Sequence, residues 1–216
     1  LDDIPVLSPS QAIPRMFEIE GGSKLRLAGV IIDGGGLSEN RAQRIFHANY
    51  DNQSQIYSLD IRDVTFQNIG AAGDYGTLLE VDPGSLADSL TFIRCDFQNI
   101  NGEVFSLDVS EDESGIYSAR NVVIEDCTFW NVSRGVLNIY GGDSNPFSVG
   151  PVVWINHNTF YFCGYENVPV INARNVDVAT IQNGIFSQSS QFASLVELYS
   201  WSQIQYTNVD ASGDIT

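Results

Sequence analysis

Short runs of alternating apolar and polar residues recur along this chain, and several end on a phenylalanine followed two places later by asparagine. The clearest are 59–69 (LDIRDVTFQNI), 90–100 (LTFIRCDFQNI) and 122–132 (VVIEDCTFWNV), joined by weaker versions at 25–35, 153–163 and 179–189. Ile32, Phe66, Phe97, Phe129, Phe160 and Phe186 hold one place in the six runs, at intervals of 34, 31, 32, 31 and 26 residues. A period of two predicts strands, and no i, i+3, i+4 stripe predicts a helix. Each run reads as one half-buried strand entering a turn. One phrase repeated at a near-constant interval predicts a solenoid, with each phrase lying a coil above the last.

Coils stack about 4.8 Å apart, so columns of the alignment become files of side chains. Five places before the bulky residue stand Leu27, Ile61, Phe92, Ile124, Ile155 and Ile181; two before it stand Val30, Val64, Cys95, Cys127, Asn158 and Gly184. The phenylalanines are expected to pile up in the interior, with Cys127 beside Cys95 as a small filler. A Cys95–Cys127 disulfide is the alternative. Asn68, Asn99 and Asn131 are expected at a turn, where asparagine tolerates an unusual φ.

A second column of strands follows each phrase: FEI (17–19), FHA (46–48), LEV (79–81), LDV (107–109), LNI (137–139), INA (171–173) and VEL (196–198). Its outward positions are Glu18, His47, Glu80, Asp108, Asn138, Asn172 and Glu197. Two further along come Glu20, Asn49, Asp82, Ser110, Tyr140, Arg174 and Tyr199. One face is therefore dry and the other is a polar, partly aromatic ribbon.

Charge narrows the partners. Lys and Arg number 10 against 27 Asp and Glu, a formal net charge of −17. Such a surface repels phosphates, which excludes nucleic acid and anionic lipid as primary partners. An anionic polymer would need a local arginine cluster or a bridging metal. The three cysteines show no C-x-x-C spacing, so neither zinc nor a redox motif is indicated. No run of eighteen apolar residues provides a membrane-spanning segment. The acidic stretch Ser110-Glu111-Asp112-Glu113 lacks the EF-hand spacing and reads as a solvated loop. His47 and His157 share no column and read as hydrogen-bonded surface or turn residues, while Trp130, Trp154 and Trp201 alternate between wall and edge.

LRLAGVIIDGGG at 25–36, the F-x-N turns and the S/N-x-x-I-x-x-C/V-x-F rhythm resemble the pectate-lyase-like superfamily. Within it the likeness is to the chondroitinase-B-like group of polysaccharide lyases and polysaccharide-utilisation domains. It spans nearly the whole chain and implies an all-β, single-stranded, right-handed parallel β-helix of about seven coils. Residues 1–216 would form one such domain, with flanking domains of a longer chain left open. The resemblance also implies a polysaccharide or oligosaccharide partner and a secreted, periplasmic or bacterial cell-surface location.

Lyases of that group present an Asn and two Glu to a calcium ion, and a Lys and an Arg then transfer protons at the sugar. Calcium neutralises the uronate carboxylate and makes the α-proton removable. This chain carries acids in the ribbon, but its single lysine, Lys24, lies in the lead-in to the first phrase, and neither Asn-Lys-Ser nor Arg-His-Gly occurs. Arg134 and Arg174 are expected as the arginines nearest the exposed face. No catalytic residue is assigned and no cofactor is expected, calcium being the one metal the resemblance brings.

Binding without cleavage is the favoured expectation, through Asn138, Tyr140, Asn172, Arg174, Glu197 and Tyr199. Tyrosine rings cover the apolar face of a sugar while amides and carboxylates meet its hydroxyls. Two alternatives stay open. One is a calcium-assisted lyase or a glycoside hydrolase using stacked acids such as Glu80 and Asp108. The other is an adhesion or assembly module that pairs through exposed coil edges.

Overall fold

A computed structural model describes residues 4–36, 39, 41–49, 56–71, 73–108, 118–141, 151–165, 168–174 and 176–189, and the backbone alone of Val196–Leu198, Ser202–Gln205 and Asn208–Asp210. Among these residues there is no helix. The strands fall into three parallel sheets of seven, eight and seven members. Sheet I runs from Lys24–Ala28 to Ser202–Gln205, sheet II from Val6–Leu7 to Asn208–Asp210, and sheet III from Ile13–Ile19 to Val196–Leu198. One coil is Ala87–Ile93 in sheet I, Asp96–Ile100 in sheet II and Gly102–Leu107 in sheet III. Every strand pairs with the corresponding strand one coil away, so the chain winds as a right-handed parallel β-helix. Six coils carry all three strands, with a partial coil at either end, where the repeat count suggested about seven.

The recurring phrase is two strands, not one. In the coil at 57–69 the inward residues are Leu59, Ile61, Val64, Phe66 and Ile69, all buried. Their steps run two, three, two, three. Each step of three marks a corner, and each corner holds a residue in the left-handed region: Asp63 at φ 55° and Asn68 at φ 57°. The first corner repeats as Gly29, Asp63, Arg94, Asp126, His157 and Asn183, and the second as Asn68, Asn99, Asn131, Phe162 and Gln188. Such a φ costs an ordinary L-residue roughly 1–2 kcal/mol, and Asn and Asp tolerate it best. That preference explains why these two residue types recur at the bends.

Side chains from the three sheets meet in one continuous core. Phe66, Phe97, Phe129, Phe160 and Phe186 are fully buried and stacked, with centroid separations of 5.3, 4.5, 5.0 and 4.4 Å. Ile32 continues the file beside Phe66. The cysteines are free and buried. The Cys95 amide lies 3.4 Å from Cys127 Sγ, in the packed relation expected for fillers and without a disulfide. Asn158 follows Cys127 in that file and is satisfied there: its Oδ1 accepts from the Cys127 amide at 2.8 Å and its Nδ2 donates to the Ile124 carbonyl at 2.8 Å.

At the second corner the asparagine amides bond to one another. Asn131 Nδ2 donates to Asn99 Oδ1 at 2.9 Å, Asn99 Nδ2 to Asn68 Oδ1 at 3.5 Å, and Asn68 Nδ2 to Asp33 Oδ2 at 3.0 Å. The Asp33 carboxylate also accepts from Gln67 Nε2 at 2.7 Å and the Gly35 amide at 2.8 Å.

Candidate functional site

The outward face of sheet III carries the predicted ribbon, with one change of register. Glu18 lies beside His47, His47 beside Glu80, Glu80 beside Ser106, Ser106 beside Asn138, and Asn138 beside Asn172. Asp108 therefore does not stack on Glu80; Ser106 takes that place. The strand is FSL at 105–107, not LDV at 107–109. The hydrophobic pattern could not detect the error, because a slip of two residues leaves every side chain on its own face. A signal was present: GTLLEV (76–81) and GEVFSL (102–107) both open on glycine, and Gly76 pairs with Gly102. A side chain at Gly102 would run into the Gly76 backbone one coil away, and one at Gly76 into the Gly70 backbone of its own coil.

The ribbon divides in two. Its N-terminal half is a charged network. Arg15 Nη1 lies 2.9 Å from His47 Nδ1, and His47 Nε2 lies 3.1 Å from Asp82 Oδ1. Arg15 Nε also approaches Glu18 at 3.4 Å, Asn49 Nδ2 donates to Glu18 at 3.2 Å, and Arg44 pairs with Glu80. His47 is buried at the centre of this network. Arg15 and Arg44 thus stand beside the acidic file, on the exposed face where Arg134 and Arg174 are the arginines the sequence places nearest. Arg134 faces Glu103 at 3.9 Å and lies over the Tyr75 ring at 5.3 Å. His157 sits at the first corner, 3.7 Å from Asp126.

The C-terminal half gathers four of the six predicted site residues. Asn172 Nδ2 donates to Asn138 Oδ1 at 3.2 Å, aligning two half-buried amides along the file. On the next file Tyr140 lies beside Arg174. The guanidinium sits 5.1 Å above the Tyr140 ring centroid, and Nη2 donates to Asp108 Oδ2 at 2.9 Å. Cation–π contact from below and a carboxylate from the side hold the group in place. Tyr140 is only 7% exposed, so its ring supports the arginine and offers no open stacking surface. Glu197 pairs through its backbone with Asn172, and its side chain lies outside the described residues, as do Tyr199, Trp201, Ser110 and the acidic loop after it.

Among the described residues no three His, Cys, Asp or Glu side chains converge as a metal site. Glu80, Asp82 and Asp108 each already face a basic partner. The described residues therefore do not fit the calcium site implied by the resemblance, and no catalytic step follows from it. What the arrangement offers is hydrogen bonding: paired amides, one oriented guanidinium and a carboxylate at its edge. A separate open cleft of about 460 Å³ follows the asparagine corner, lined by Asn68, Asn99, Asn101, Asn131, Gly70 and Tyr165 among others.

No protein-family model and no curated protein matches the chain. Nine chains of solved structures do. One is the PL6 family alginate lyase AlyGC, at 17% identity and a TM-score of 0.67, covering 93% of this chain and 31% of that one. Another is a point mutant of the same enzyme, at 18% identity and a TM-score of 0.69, covering 94% and 32%. What is shared is the right-handed parallel β-helix. The chain spans about a third of the length of those lyases. At such identity the β-helix alone is established, because one scaffold hosts many unrelated sites.

Proposed function

We propose that this β-helix binds a polysaccharide without cleaving it, along the outward face of sheet III. The observation that carries the reading is the register that brings Asn138, Asn172, Tyr140 and Arg174 together. It sets two aligned amides beside an oriented guanidinium whose other edge is held by Asp108. Amides donate to and accept from sugar hydroxyls, and the guanidinium adds a cation on a chain of net charge −17. The fold-level likeness to alginate lyases supports a polymeric glycan as the partner. Polymers of that kind are met outside the membrane, so a secreted, periplasmic or surface-displayed setting goes with this reading.

Affinity electrophoresis in alginate-containing gels tests it, run with and without calcium. Retardation is expected, and Asn172→Ala or Arg174→Ala should weaken it about tenfold, equivalent to roughly 1.4 kcal/mol. Retardation untouched by both substitutions sinks the assignment to sheet III. A second reading, alginate lyase activity, is favoured by the names of the structural neighbours. Ultraviolet absorbance of unsaturated products from alginate decides between the two.

A further inference from the structure

Sheet II presents a second surface. Its outward file runs Asp33, Gln67, Gln98, Trp130, Tyr161 and Ser187 on successive strands. Four of these six are small or polar, as the solvent face of a sheet requires. The exceptions are neighbours: Trp130 is 43% exposed, Tyr161 is 39% exposed, and they stand directly beside each other in register. A single exposed aromatic is ordinary, but an adjacent Trp–Tyr pair breaking a polar file is not. Tyr161 Oη donates to Gln188 Oε1 at 3.1 Å, which ties the outer end of its ring to the corner. No Lys, Arg or His occurs on any described strand of sheet II, whereas Asp33 and Asp96 do.

From this geometry we infer that Trp130 and Tyr161 form a stacking platform for an uncharged polysaccharide, separate from the sheet III ribbon. The two residues stand on adjacent strands, whose backbones lie about 4.8 Å apart. A glycan lying across the strands sets the apolar face of one sugar on Trp130 and of its neighbour on Tyr161. The Gln98 and Gln67 amides then follow in the same file to meet hydroxyls. A face with acids and no cations repels uronate or sulfated chains, which selects a neutral one. The exposed parts of the two rings total roughly 200 Å² at most. A stable protein interface buries about 800 Å² per partner, so the patch fits a short stretch of glycan and not a second copy of the chain.

The test is affinity electrophoresis of the full 216-residue chain in gels containing hydroxyethylcellulose, galactomannan or alginate. Circular dichroism of each variant confirms folding, which replacement of outward side chains should leave intact. Retardation by at least one neutral polymer is expected. Trp130→Ala and Tyr161→Ala should each cut it tenfold or more, Trp130→Phe should retain most of it, and Asn172→Ala and Arg174→Ala should leave it unchanged. The tryptophan emission shift on adding that polymer should vanish in Trp130→Ala. Retention by alginate alone overturns this inference while leaving the sheet III reading standing. So does neutral-polymer binding that survives both aromatic substitutions, or a sedimenting dimer that Trp130→Ala dissolves.

Discussion

Replacing Phe129 by alanine tests the stacked core at its centre. Phe129 is fully buried, with Phe97 4.5 Å away at an interplanar angle of 3° and Phe160 5.0 Å away at 5°. Truncating a buried phenylalanine costs about 3–5 kcal/mol through lost transfer energy and the cavity left behind. Each stacked pair is worth a further ~0.5–1.5 kcal/mol beyond area, so losing two at once puts Phe129→Ala at the top of that range. Phe129→Leu keeps most of the volume and forfeits only the ring contacts, for an expected loss of roughly 1–2 kcal/mol. Urea unfolding followed by far-ultraviolet circular dichroism reads both. A double-mutant cycle with Phe97→Leu should return a coupling of ~0.5–1.5 kcal/mol. Equal destabilisation by alanine and leucine, or an alanine cost below about 2 kcal/mol, refutes a packed file in which neighbouring coils share one stack of rings.

Two further outcomes follow from the corners and the thiols. Asn131 combines φ 58° with an amide bond to Asn99, so Asn131→Ala should cost roughly 2–3 kcal/mol in thermal unfolding, and Asn131→Gly, which relieves the backbone, only about 1. Burial pushes the Cys163 thiol up to about 12. An unfolded thiol ionises near ~8.5, so this stabilisation is complete below that pH and is lost as pH rises towards the folded value, at ~1.4 kcal/mol per pH unit. Its hydrogen bond with Cys95, and then burial, shift Cys127 the same way, while the bond to Cys127 draws Cys95 down. Urea midpoints should therefore fall between pH 8 and pH 10, and the Cys163→Ala chain should show a shallower fall.

The interior was legible because a solenoid writes its vertical neighbours at a fixed interval. The file from Ile32 to Phe186, the cysteine pair and the asparagine turn all follow from letters one period apart. The outer face was harder to read. Outward positions are free to vary, so at 105–109 only a glycine pairing separated two alignments that both kept the alternation. The first corner was hidden for a related reason: Asp63, Asp126 and Asn183 carry the usual turn chemistry, but Gly29, Arg94 and His157 hold the same backbone conformation without it. The ribbon amides Asn138 and Asn172 were identified from sequence. The carboxylate holding Arg174 was not, because Asp108 reaches it from two coils away. The sequence alone leaves Trp130 on wall or edge, and only the pairing with Tyr161 shows two aromatics on one outward file.

The asparagine row has a direction. Each carboxamide gives a proton to the coil before it and offers its oxygen to the coil after, and the row closes on Asp33, whose carboxylate accepts without having to donate. A newly inserted asparagine-bearing coil would take up one bond and pass one on, leaving both ends chemically unchanged. Growth by internal duplication therefore meets no polar obstacle at that bend.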